Sequence, residues 1–220
     1  MESFSYEDYL EKLLEEWEGR EGELELLPAP DDLVMHVFSR KSETIKKWKN
    51  EGSKGGKLQV VEIDRVKHVT MQCVLEKYQK VRADCEIVTR RLLKHLDDNP
   101  DMSKDDVTLH YAETMEWVGL NVRKPVDRKD FSLILGEVSK DSYNKTGFFS
   151  RGELTEEPKF LLTALVTEKH TNMPASGFEG LLHDNEEAWG LLESYHEDDV
   201  AFVDEHIQLA KDCAKRGYWK

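Results

Sequence analysis

The sequence predicts a mostly helical α+β protein, and three observations carry that expectation. Apolar residues recur at helical spacing through most of the chain, glycine and proline isolate a few short apolar runs, and one long helical pattern joins an N-terminal part to a C-terminal part. At 220 residues, with 39% hydrophobic and 35% charged residues, there is apolar material for one large core or two small ones.

Residues 1–27 read as an acidic amphipathic helix. Tyr9, Leu10, Leu13, Leu14 and Trp17 fall on one side with acids outside, and Pro28 and Pro30 end the connection that follows. Residues 28–64 read as a short helix from Asp31, a second helix, a glycine turn and a two-stranded wing. Ser42 is a good N-cap for the second helix, which runs through Thr44, Ile45 and Trp48 until Gly52 stops it. Gly55 and Gly56 supply a positive-φ turn before the apolar strand Leu58 to Ile63. Helix, helix and wing in this order make a winged helix-turn-helix.

The setting of Ser42, Thr44, Ile45, Trp48 and Gly52, with a glycine turn and a strand behind them, resembles the winged-helix module of excisionases and of MerR-type regulators. Residues 31–64 carry the resemblance. It implies that Ile45 and Trp48 pack inward, that Lys46, Lys47 and Lys49 lie on the exposed side of a recognition helix, and that Lys54 and Lys57 flank the wing. One departure is the first helix, where Met35 to Val37 replaces the usual alanine-rich segment.

Charge placement agrees with that reading. Between Arg40 and Lys57 stand seven basic residues, Arg40, Lys41, Lys46, Lys47, Lys49, Lys54 and Lys57, against Glu43 and Glu51. Such a stretch suits contacts to phosphates, with Asn50 or Glu43 facing base edges. The net charge of −14 comes from elsewhere: residues 1–25 and Asp184 to Glu205 together hold −17, leaving about +3 for the rest. Acidic ends around a basic middle fit a DNA-binding protein whose flanks limit non-specific binding, or a protein that presents acids to a basic partner. Solvated helix faces are the ordinary alternative.

Asp64 reads as the cap of a long connecting helix over residues 65–98. Val74, Tyr78, Val81, Cys85, Val88 and Leu92 are spaced alternately four and three apart. This 3.5-residue rhythm fits a homodimer seam and fits equally a helix lying on its own chain. Leu96 to Asp106, with Asn99-Pro100 and a cluster of acids, reads as the domain boundary, and Ser103 as the next N-cap. Residues 103–220 are then a C-terminal helix-helix-β-hairpin-helix domain: a helix from Asp106 to Gly119, another from Asp130 to Tyr143, a strand Phe160 to Thr167, a turn at Asn172 and Pro174, and an acidic helix from Asp184 to Glu205. Leu135, Val138, Leu161, Leu162, Ala164, Leu165, Val166, Lys169, Thr171, Pro174, Gly177 and Phe178 resemble a module of small uncharacterised bacterial and phage proteins. That resemblance implies a shared fold and a mobile-element setting, with no activity attached.

Enzyme signatures fail their spacing tests. Glu168, Lys169 and His170 follow a strand as in many nucleases, but acid and lysine are adjacent where the common site separates them by one residue. His183, Asp184, Glu187, His196, Asp199 and His206 contain no histidine pair at i, i+4 to seat a metal on one helix face. No acyl-transfer elbow, Walker loop or dinucleotide fingerprint occurs. Cys73, Cys85 and Cys213 lack metal spacing and are odd in number, so they read as reduced thiols. The acidic N-terminus does not read as a signal peptide, and no apolar run approaches the roughly 20 residues of a membrane span, so a cytoplasmic protein with no membrane contact and no cofactor is expected. The expected function is non-enzymatic DNA binding in a regulatory or phage setting, with double-stranded DNA as partner. The rival is an acidic interaction module, such as a phage-encoded inhibitor that covers a basic host protein with its acidic helices.

Overall fold

The structure is a computed structural model that describes residues 6–51, 58–146, 149, 158–175 and 177–217. The chain is mostly helical with two small two-stranded sheets, and it divides into two compact units, Met1–Arg82 and Ala83–Lys220. No helix among the described residues is long and apolar enough to cross a membrane.

The first unit is built from α1 (Tyr6–Glu16), a short α2 (Glu21–Leu24), α3 (Asp31–Phe38), α4 (Ser42–Glu51), the strands β1 (Val60–Ile63) and β2 (Val66–Val69), and the start of α5 (Met71–Asp98). The amphipathic pattern of α1 folds as its spacing predicts: Leu10 and Leu13 are buried, and Tyr9, Leu14 and Trp17 pack around them. That helix is not a separate segment. It shares one core with Leu33, Val34 and Val37 of α3, Ile45 of α4 and Val74, Leu75 and Tyr78 of α5. Tyr6 fastens it to α3, stacking on His36 at 4.7 Å and donating its hydroxyl to Asp32 Oδ2 at 2.9 Å. The same hydrogen bond holds the Asp32 carboxyl below its usual range.

The hairpin differs from the expectation. Val60 pairs with Val69 and Ile63 with Val66, so the loop is Asp64-Arg65, both at positive φ of 50° and 68°. A two-residue loop with both central residues left-handed matches the twist of paired strands, and aspartate tolerates the first position. Asp64 therefore closes a hairpin instead of capping a helix, and α5 starts at Met71. The glycine turn expected at Gly55 and Gly56 lies outside the described residues. On the other side of β2, Pro28 forms a bridge with Thr70, and the Ala29 N–H donates to Val69 O at 2.8 Å.

The second unit takes up the rest of α5, then α6 (Lys104–Val107), β3 (Leu109–His110), α7 (Tyr111–Glu116), α8 (Pro125–Asn144), a 3-10 turn at Leu162–Leu165, β4 (Val166–Thr167), α9 (Gly177–Asp184), α10 (Glu186–Trp189), α11 (Leu192–Glu197) and α12 (Asp199–Arg216). Three expectations are corrected here. The helix expected from Asp106 to Gly119 is interrupted: Ser103 caps α6 through its hydroxyl, and the chain then goes extended so that Leu109 and His110 pair in parallel with Val166 and Thr167. The run Phe160 to Thr167 is buried throughout but is mainly a 3-10 turn, and β4 leads into a tight turn and α9 with no hairpin partner among the described residues. The acidic helix from Asp184 to Glu205 is four pieces. Gly190 sits at φ 63°, the Leu192 N–H is held by the Glu186 carboxylate at 2.7 Å, and Asp198 accepts from Ala201 N as the cap of α12.

Side chains satisfy the buried backbone before the 3-10 turn. The Leu162 N–H donates to Ser142 Oγ at 3.1 Å and the Leu161 N–H to His206 Nδ1 at 3.2 Å, while the hydroxyls of Ser139 and Thr163 bond each other. A buried N–H without such an acceptor costs about 1–3 kcal/mol, which is why these polar groups stand inside an apolar core. His206 must be neutral to accept at Nδ1, and burial lowers its pKa from 6.5 to about 4. The unfolded chain therefore binds more protons between those values, so the stabilisation is complete above pH 6.5 and is lost as pH falls toward 4. Its size is of order 3 kcal/mol. Urea titrations across that window should show His206→Gln, which keeps an acceptor but does not titrate, losing less stability than the native chain; equal losses would contradict this account of His206.

Candidate nucleic-acid interface

α3 and α4 are joined by a tight turn. Ser39 ends α3 in the left-handed region at φ 48°, with its N–H on His36 O and the Arg40 N–H on Met35 O. Across the turn, Phe38 meets Trp48 edge to face at 6.4 Å, and β2 lies against both helices. Trp48 and Ile45 thus pack inward as the sequence suggests, Ile45 being 2% exposed. Opposite them, Glu43, Lys46, Lys47 and Asn50 are all exposed. Their positions, i, i+3, i+4 and i+7, form one stripe along the helix.

Two basic residues expected to contact DNA have other work. Lys49 is 9% exposed, and its Nζ donates to Asp31 Oδ1 at 2.5 Å, tying the last turn of α4 to the first turn of α3. It is a structural cation, because it shares the inward side with Ile45 four residues earlier. Arg40 is half-buried: its guanidinium lies 5.7 Å over the Trp48 ring and donates to the Phe38 and Ser39 carbonyls. Lys41 is exposed at the head of α4. Lys54 and Lys57 fall outside the described residues.

The hairpin adds cations that the sequence reading assigned to a helix. Arg65 stands in the loop and Lys67 follows it on β2, opposite Glu62, and both basic residues are exposed. The signal was present in VVEIDRVKHV, where apolar residues flank a two-residue Asp-Arg loop on both sides. Val66 and Ile63 at the tip are 54% and 40% exposed.

The six residues of the expected dimer seam, Val74, Tyr78, Val81, Cys85, Val88 and Leu92, are each at most 8% exposed. The chain itself covers them. Val74 and Tyr78 belong to the core of the first unit, and in the second the Cys85 thiol lies 3.5 Å from the Ile134 carbonyl. The 3.5-residue rhythm is thus that of a helix packed on its own chain.

The residues weighed for catalysis remain dispersed. Glu168, Lys169 and His170 are exposed after β4, His206 is buried, His196 meets Glu179 at 3.0 Å, and His183 lies 3.9 Å from Asp184. Among the described residues no group of three metal-ligating side chains is close enough to hold an ion. The three cysteines are buried and none is in a disulfide. No family model matches the chain, and no curated protein or solved structure matches it.

The burial contrast within α4 gives a direct expectation. Lys49→Glu sets an acid in a buried position beside Asp31 and should cost about 3–5 kcal/mol. Lys46→Glu, on the exposed stripe, should change stability by less than about 0.5 kcal/mol. Chemical denaturation of both variants checks this, and equal effects would put Lys49 back on the surface.

Proposed function

We propose that the first unit is a winged helix-turn-helix that binds double-stranded DNA, in a non-enzymatic, cytoplasmic protein of a regulatory or mobile-element setting. The observation that carries the reading is the exposed stripe of α4, Glu43, Lys46, Lys47 and Asn50, on a helix whose opposite side is fixed by Ile45, Trp48 and Lys49. Support also comes from the order of elements: α1, an extended bridge at Pro28, α3, α4, then the β1–β2 hairpin. A recognition helix needs a rigid back and a polar, cationic front, because phosphate contacts set register while a few side chains reach base edges. In this reading Lys41, Lys46 and Lys47 of the α4 region and Arg65 and Lys67 of the hairpin contact phosphates. Asn50 offers an amide suited to adenine, and Glu43 an acceptor suited to the cytosine amino group.

The acidic N-terminal and C-terminal segments then oppose loose binding by repelling phosphates that are not held at the basic face. The same acids favour a second reading, an interaction module for a basic host protein, since Glu193, Glu197 and Asp199 are all exposed.

Titration of random-sequence duplex at a series of salt concentrations separates the two. Five phosphate contacts give a slope of log affinity against log salt of about four to five, at roughly 0.9 each. Replacing Lys46 and Lys47 by Ala should lower that slope by about two and weaken all sequences alike. Absence of binding to any duplex at low salt would overturn the DNA reading and favour the interaction module.

A further inference from the structure

The second unit holds a cleft that DNA binding does not use. Both short parallel strands end on it: His110 and Tyr111 leave β3, and Glu168, Lys169 and His170 leave β4. Chains diverge beyond the carboxyl ends of parallel strands, and the space between them is where α/β sheets take ligands. The mouth is an open cleft of about 730 Å³, inside the range of roughly 300–1,000 Å³ of small-molecule sites. A narrower pocket of about 40 Å³ shares Tyr111, Ser132, Ala175 and Gly177 with it and is closed by Leu135, Val166, Pro174, Phe178 and Leu181.

The two parts ask for different chemistry. Around the mouth stand Arg128, Lys129 and Lys169 against Glu113, Glu116 and Glu168. Among the described residues the side chains of Glu113, Glu116, Lys129 and Lys169 have no ion-pair partner. With the signs balanced, a purely anionic or purely cationic ligand meets as many like charges as opposite ones. A zwitterion places each charge against its opposite. Where the two spaces share lining, the Tyr111 hydroxyl donates to the Arg128 carbonyl at 3.1 Å and lies 3.3 Å from Ser132 Oγ, and beyond it the inner pocket is mainly apolar, with Thr163 the other polar side chain in its wall. That pocket has room for roughly three water-sized positions, the bulk of an isopropyl group.

We propose that this cleft binds an α-amino acid with a small branched aliphatic side chain. The ammonium group sits among Glu113, Glu116 and Glu168, the carboxylate faces Arg128, Lys129 and Lys169, and the side chain passes Tyr111 into the apolar pocket. The proposal is independent of the DNA reading.

Calorimetric titration of the full chain tests it with L-valine and L-leucine as probes, taken to about 10 mM because ligands of this size bind at millimolar to micromolar level. Glycine lacks the apolar group, and isovalerate and isobutylamine each lack one charge. At least one of the two amino acids should bind about tenfold more tightly than all three controls. Gly136 lines the inner pocket, and a Cβ there would stand 3.8 Å from Leu181 Cδ1, an ordinary contact. Gly136→Ala therefore keeps the fold, raises helix propensity and narrows the pocket. It should weaken valine and leucine binding several-fold while leaving glycine unaffected. No binding of either amino acid, equal binding of a singly charged control, or unchanged affinity in Gly136→Ala would each overturn the proposal.

Discussion

One stripe of α5 has to be buried along the whole 28-residue helix, and the remainder of the chain is arranged to bury it. Val74, Leu75 and Tyr78 are held by the core of the first unit, while Val88 and Leu92, further along the same helix, are fully covered. Each large aliphatic side chain taken out of water contributes about 1.5–3 kcal/mol, so exposing the stripe would cost about as much as a typical domain's net stability. The consequence for function runs through the first unit. Because α5 anchors that core, α3 and α4 have a fixed surface to pack against, and α4 can commit Ile45, Trp48 and Lys49 inward while its opposite stripe stays polar.

Much of the first unit was legible in its residues. Ser42 before a helical pattern and Ile45 and Trp48 three apart are local signals, and α4 runs from Ser42 to Glu51; the stop expected at Gly52 falls outside the described residues. The amphipathic pattern of α1 was equally plain. The inward side of Lys49 follows from its spacing four residues after Ile45, but its acid stands 18 residues earlier, and only the fold brings Asp31 within 2.5 Å of it. Asp64 was misread because an aspartate serves as helix cap and as hairpin-loop residue alike, and the choice depends on Val66 finding Ile63 across the loop.

In the second unit the failures share a cause. An apolar run such as Phe160 to Thr167 is the same in sequence whether it becomes a strand or irregular buried backbone; what decides is where its N–H groups find acceptors. Here Ser142 from α8 and His206 from α12 supply them, at separations of 20 and 45 residues. The two-residue strand β3 likewise exists because β4 lies beside it, and that pairing overrides a helical local pattern. The charged cleft at the ends of β3 and β4 was out of reach for the same reason: Glu113, Arg128 and Glu168 belong to three different parts of the chain and meet only in the fold.

In the proposed function one cationic, polar surface in the first unit meets DNA. Amide chemical-shift mapping of the isotope-labelled chain with a random duplex, at low and at raised salt, tests it most directly. Shifts should be confined to residues 41–50 of the α4 region and residues 62–67 of the hairpin, shrinking as salt rises. Shifts absent from both, or centred on the acidic residues 193–199, would contradict it.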